Sequence, residues 1–213
     1  MTGFIMGAIM LSAIGYFYGL FKDLTTWNYI FKPGTMLFMI VLVLLHIQDA
    51  GIYGWLILLG LVFSVTGDIY LMHPADRFIQ GLISFFIAHV IYVIAFQRAG
   101  SIEVHSISIA LLLIIIGVLY LFVIANHVKA EGGFPLLLAV IAYMTIISFM
   151  VYQAVLSGEL ILIIGACSFY LSDAILAWNR FIKKYPRGQF AVMLTYYFAQ
   201  VMIAYSVALQ SGF

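Results

Sequence analysis

Apolar residues fill this chain in long runs, and the few polar residues between them set the predicted elements. About 20 consecutive apolar residues cross a bilayer as a helix. Runs of that kind predict eight spans, at 3–21, 33–47, 52–72, 78–96, 106–126, 134–156, 160–181 and 190–210. The second is the shortest, roughly 22 Å of helix at 1.5 Å per residue. It needs a thin region of bilayer, cover from neighbours, or an extension past Asp49. The connections at 48–51, 73–77 and 157–159 leave no room for a soluble domain. The expectation is an all-α membrane protein, one bundle of about eight transmembrane helices forming a single polytopic domain over residues 1–213.

Composition strengthens that reading. Hydrophobic residues make up 66% of the chain, charged residues only 8%, and the mean hydropathy is +1.18, where soluble domains carry roughly 25% charge. A net charge of +1 supplies no basic face for a phosphate backbone, which argues against nucleic acid as a partner. Cys167 is the single cysteine and lies in an apolar run, so one chain can build neither a disulfide framework nor a cysteine metal site. The stretch from Phe4 to Phe21 lacks a basic leader and a small-residue cleavage site, and reads as a retained first span.

Lys and Arg set the orientation. Lys22, Lys32, Arg77, Lys129, Arg180, Lys183, Lys184 and Arg187 follow spans one, three, five and seven, and Arg98 alone lies on the other side. The excess marks those four loops as cytoplasmic and puts both termini outside, in the plasma membrane, or the inner membrane of a bacterium. The run Lys183, Lys184 and Arg187 reads as a topology signal that meets anionic lipid.

Two acids stand inside the apolar runs, Asp68 after Gly67 and Asp173 after Ser172. An acid in hydrocarbon costs about 2.5–3.5 kcal/mol on insertion scales, so each is a candidate functional group. Asp68 lies roughly 6 Å, and Asp173 roughly 10 Å, from the cytoplasmic ends of their spans at helical rise. Gly60, Ser64 and Asp68 repeat at four-residue steps, a small-residue face that admits a close neighbour. Phe78, Gly81, Phe85, His89, Tyr92 and Phe96 share one face of the fourth span; Tyr170, Asp173, Ala177 and Arg180 share one in the seventh, and Tyr196, Gln200 and Ile203 one in the eighth.

Plainer readings stand beside these. Asp68 could be a structural partner of Lys32 or Arg77, Asp173 of Arg180, and His89 a hydrogen-bonded core histidine. Lys32-Pro33 resembles a helix start with Pro at its first position. His73, Asp76 and His127 sit near the surface without a second ligand pair at metal spacing, so no metal is expected.

Taken in order, Lys32-Pro33, Gly67-Asp68 with Leu71, Phe78-x-x-Gly81, Phe85, His89-x-x-Tyr92, Tyr143 with Met150 and Ala154, Ser172-Asp173 with Ala177, Asn179-Arg180-Phe181, and Tyr196 with Gln200 resemble the YhhN-like lysoplasmalogenases. The resemblance spans nearly the whole chain. It implies an integral membrane hydrolase that cleaves the vinyl-ether bond of lysoplasmalogens to a fatty aldehyde and a glycerophospho-base. The family's two essential aspartates fall on Asp68 and Asp173.

Residue chemistry agrees. A vinyl ether is hydrolysed by protonating its β-carbon; water adds to the resulting oxocarbenium ion, and the hemiacetal collapses. Two carboxyls with different tasks serve such a reaction without a cofactor, as in glycoside hydrolysis. One of Asp68 and Asp173 would be the general acid, the other the base or cation stabiliser. His89, Tyr92, Tyr196 and Gln200 would orient water or the glycerol hydroxyl, Phe85 and Tyr170 would line the substrate, and Lys32 and Arg180 are candidates for the lipid phosphate. Expected partners are a lysophospholipid and the bilayer, with the active site toward the cytoplasmic leaflet. The alternative is a proton-coupled lipid or small-molecule transporter, because buried acids also mark proton relays; no convincing repeat links the two halves. An intramembrane aspartyl protease would want Gly where Val65 stands.

Overall fold

The computed structural model describes residues 1–100 and 107–210. Ser106, where the fifth expected span begins, lies outside the described residues. The described chain is helical and contains no strand: α1 (Thr2–Phe21), α2 (Thr25–Met72), α3 (Phe78–Ala99), α4 (Ile107–Ser157), α5 (Leu160–Phe181) and α6 (Gly188–Gln210). All six are long and apolar enough to cross a membrane. Helices are what an apolar solvent demands, because a backbone without water to bond must satisfy its own N–H and C=O groups.

Six helices therefore stand where eight were expected, because α2 and α4 each join two of the expected spans across a break. Helical hydrogen bonding runs on through Gln48 and Asp49 in α2 and through His127, Lys129 and Glu131 in α4, where polar residues suggested loops. Polarity alone does not end a helix. Backbone conformation interrupts both, at Gly51 (φ 56°) in α2 and at Gly132 and Gly133 in α4; the positive φ of Gly51 and of Gly133 (69°) favours glycine. Pro33 also lies inside α2, which begins at Thr25, and not at its first turn.

The described residues form two compact units, 1–95 with 200–210 and 96–100 with 107–199. In the first, α2 folds back at Gly51. The Tyr29 hydroxyl donates to the Met72 carbonyl at 2.7 Å, joining the start of α2 to its end. Helix α1 packs on the first half through small residues: Ser12 and Thr35 share a hydrogen bond of 2.8 Å, and the Phe31 ring covers Gly15. The second half receives α3, with Ser84 donating to the Phe63 carbonyl at 2.7 Å. The end of α6 joins it through the Tyr53 and Ser206 hydroxyls, 2.5 Å apart.

In the second unit α4 also folds back, so that Ala110 and Leu121 in its first half share a groove with Tyr152 and Ile141 in its second. Leu112, Ile115, Leu119 and Phe122 along the first half are more than half exposed, a surface suited to lipid. Helices α5 and α6 are joined by Ser168 and Ser172, whose hydroxyls donate to the Thr195 and Val192 carbonyls at 2.9 and 3.0 Å. The Phe169 ring meets Tyr196 edge-on at 5.3 Å.

Candidate functional site

Asp68 is reached through the small-residue face of α2. Gly60 and Gly67 lie against the rings of Tyr92 and Phe85, which draws α3 close beside Ser64 and Asp68. The glycine, serine and aspartate stripe thus meets the aromatic stripe of α3. Asp68 is buried, as its small neighbours led us to expect, and its Oδ1 lies 2.9 Å from the Lys32 ammonium on the other half of α2. Both side chains are about as withdrawn as core leucines. A buried pair of this kind neutralises two charges that would each be costly alone.

His89 is fully buried one helical turn beyond Phe85, and its Nδ1 donates to the Phe85 carbonyl at 2.6 Å. Because a carbonyl only accepts, that nitrogen carries the hydrogen. Beyond it the Tyr92 hydroxyl donates to Gln200 Oε1 at 2.8 Å, joining α3 to α6. Lys32, Asp68, Phe85, His89, Tyr92 and Gln200 all belong to this first unit.

Tyr170, Asp173, Arg180 and Tyr196 belong to the second. Asp173 is half-buried on α5, and Oδ2 accepts a hydrogen bond from the buried Tyr143 hydroxyl at 2.5 Å. One residue on, the Ala174 carbonyl accepts from the Tyr120 hydroxyl at 2.5 Å. Two phenols from the two halves of α4 therefore grip consecutive residues of α5. Tyr170 sits partly buried a turn before Asp173, and Tyr196 is buried against Phe169. Arg180 pairs with Glu131 at 2.5 Å, at the end of α5 and beside the α4 break.

The arrangement separates what spacing had grouped. Of the structural pairings considered from sequence, Lys32 with Asp68 is present, while the Arg180 guanidinium goes to Glu131. Two contributors were not assigned a site role from sequence, Tyr143 and Glu131. Tyr143 carried a signal, since Tyr143, Ile147, Met150 and Ala154 form a buried stripe at helical spacing; nothing local identified Asp173 as its partner. Among the described residues no group of three or more His, Cys, Asp or Glu is placed to hold a metal ion.

Residues 27–207 match the YhhN family. The human lysoplasmalogenase TMEM86B is 34% identical over 159 residues, covering 75% of this chain and 66% of that protein. Bovine lysoplasmalogenase TMEM86A is 33% identical over 162 residues, covering 70% of this chain and 64% of that protein. An Escherichia coli O157:H7 protein named uncharacterized membrane protein YhhN is 25% identical over 185 residues, 82% of this chain and 84% of that one. The chain thus spans just under two thirds of the mammalian relatives' length. No solved structure matches it.

Proposed function

Because this chain belongs to the YhhN family, we propose that it is an integral membrane hydrolase that cleaves the vinyl-ether bond of lysoplasmalogens to a fatty aldehyde and a glycerophospho-base. The observation that carries the reading is the match to proteins named lysoplasmalogenase over 70–75% of the chain. Six apolar helices agree with an enzyme that meets its substrate in the bilayer.

Asp68 and Asp173 are the acids the reaction uses. A carboxylate already paired with an ammonium suits the stabilisation of an oxocarbenium ion, or the acceptance of a proton from the attacking water, and Asp68 has that partner in Lys32. The proton for the β-carbon then comes from Asp173, whose orientation is held by the Tyr143 hydroxyl. Water adds to the α-carbon, its proton returns to a carboxylate, and the hemiacetal breaks into aldehyde and glycerol hydroxyl. Polar groups of the buried His89, Tyr92 and Gln200 line up along the first unit, as orienting water or the glycerol hydroxyl would require. Phe85, Tyr170, Tyr196 and Arg180 complete the substrate-binding set, and the site opens toward the cytoplasmic leaflet with both termini on the opposite side.

The test is aldehyde release from a lysoplasmenylcholine by the purified protein in detergent. Wild type should release aldehyde, and Asp68→Asn and Asp173→Asn should each abolish it; full activity in either variant removes that acid from the mechanism. Absence of any aldehyde from wild type, with substrate flux into liposomes instead, would move the reading to transport.

A further inference from the structure

Both cations first considered for the lipid phosphate are in ion pairs, Lys32 with Asp68 and Arg180 with Glu131. Arg187 is different. It lines a recess of about 510 Å³ between the end of α5 and the start of α6, and no carboxylate among the described residues lies within ion-pair distance of it. Lys183, from the same basic run, stands over the Tyr185 ring at 5.9 Å.

Trp178 lines the same recess, and its indole Nε1 is buried without an acceptor among the described residues. A buried N–H without a partner is a debt of about 1–3 kcal/mol that a ligand acceptor would cancel. Asn179 is the third polar wall. Its Oδ1 accepts from the Tyr185 backbone N–H at 3.4 Å, so what it can offer a ligand is the NH2 group. Gly188 lets that amide pack against the start of α6, because a Cβ there would strike it. The remaining walls, among them Ala174, Ile175 and Ala191, are apolar.

A recess lined by an arginine, by a tryptophan whose N–H lacks an acceptor and by an asparagine amide, with apolar walls otherwise, suits an oxyanion carried on an apolar molecule. Arg fits phosphate bidentately. Ala174, the residue after Asp173 on α5, lines the recess, and Trp178 stands one helical turn beyond it on the same wall. We propose that the recess formed by Trp178, Asn179 and Arg187 binds the phosphodiester of the single-chain lipid substrate. This rests on the hydrolase reading above and assigns the headgroup end of that site.

The experiment uses the full chain in detergent, with Arg187→Gln, Arg187→Lys and Trp178→Phe. Aldehyde release is measured against lysoplasmenylcholine, and binding against two inert probes, an alkyl-ether lysophosphatidylcholine and a phosphate-free monoalkylglycerol. Arg187→Gln should raise KM and weaken binding of the phospholipid probe about tenfold, as loss of one charge-assisted contact does, with kcat close to wild type. Arg187→Lys should fall between, Trp178→Phe should shift the same quantities less, and alkylglycerol binding should stay unchanged in all three. Unchanged KM and phospholipid binding in Arg187→Gln and Trp178→Phe, or an equal loss for the phosphate-free probe, overturns the proposal. So does a change confined to retained bilayer phospholipid or to competition by inorganic phosphate. If wild type releases no aldehyde yet binds the phospholipid probe through Arg187, the hydrolase reading fails and the phosphate site stands. If aldehyde release is robust and indifferent to Arg187, the reverse holds.

Discussion

The ammonium of Lys32 lies 2.9 Å from Oδ1 of Asp68, with both side chains almost wholly buried. Losing one member strands the other charge, so Lys32→Met alone should lower stability by about 3–5 kcal/mol. Replacing both, as Lys32→Met with Asp68→Leu, should recover most of that loss, because apolar substitutes for a buried pair are often neutral or better. Thermal unfolding in detergent reads the stability and aldehyde release reads the function. The double variant should be folded and inactive; an active double variant would make the pair purely structural.

Tyr143 should act through Asp173. Its hydroxyl donates to Oδ2, and a hydrogen bond between neutral groups contributes about 0.5–1.5 kcal/mol. If that contact holds the carboxyl for proton transfer, Tyr143→Phe should lower kcat about two- to tenfold and leave KM and the unfolding temperature close to wild type. A change in KM alone would assign Tyr143 to substrate binding.

Gly67 should tolerate no side chain. A Cβ there would come within 2.6 Å of the Phe85 ring, and overpacking of this kind costs about 1–3 kcal/mol. Gly67→Ala should therefore lower thermal stability and activity together. Adding Phe85→Leu should restore stability ahead of activity, since Phe85 is also assigned to the substrate.

The break in α2 can be tested free of packing effects. Gly51 has φ 56° and nothing within 4 Å of where a Cβ would stand, so Gly51→Ala probes backbone conformation alone. It should destabilise by about 1–3 kcal/mol. Gly117, helical and equally open, is the control: Gly117→Ala should stabilise by about 0.5–1 kcal/mol. Stabilisation at both sites would mean that the turn at Gly51 is not held by its backbone.

Much of this was legible in the sequence, because the hydrocarbon imposes simple rules. The Gly60, Ser64 and Asp68 spacing announced a buried acid, and Asp68 is buried. The aromatic face from Gly81 to Tyr92 announced its neighbour, and Phe85 and Tyr92 cover Gly67 and Gly60. Helix ends were less legible. The expected connection at 48–51 does contain the interruption, at Gly51, but Gln48 and Asp49, whose polarity suggested it, stay helical, and hydropathy does not record the dihedral angle that breaks α2. Partners distant in sequence were the least legible. Arg180 was weighed as a partner of Asp173, seven residues away, and nothing local to it announced that Glu131, far back on α4, also meets its guanidinium. Tyr143 was noticed, but its bond to Asp173 depends on how α4 folds back against α5.

The return of α2 at Gly51 has a consequence for biosynthesis. Residue 32 leaves the ribosome well before residue 68, so the nascent first half of α2 carries its lysine with no counter-charge until the second half arrives. A solitary lysine in hydrocarbon is opposed by about 2.5–3.5 kcal/mol on insertion scales. The early segment therefore has reason to linger in the translocon, and to pass sideways into lipid only when both halves can leave together with the lysine paired.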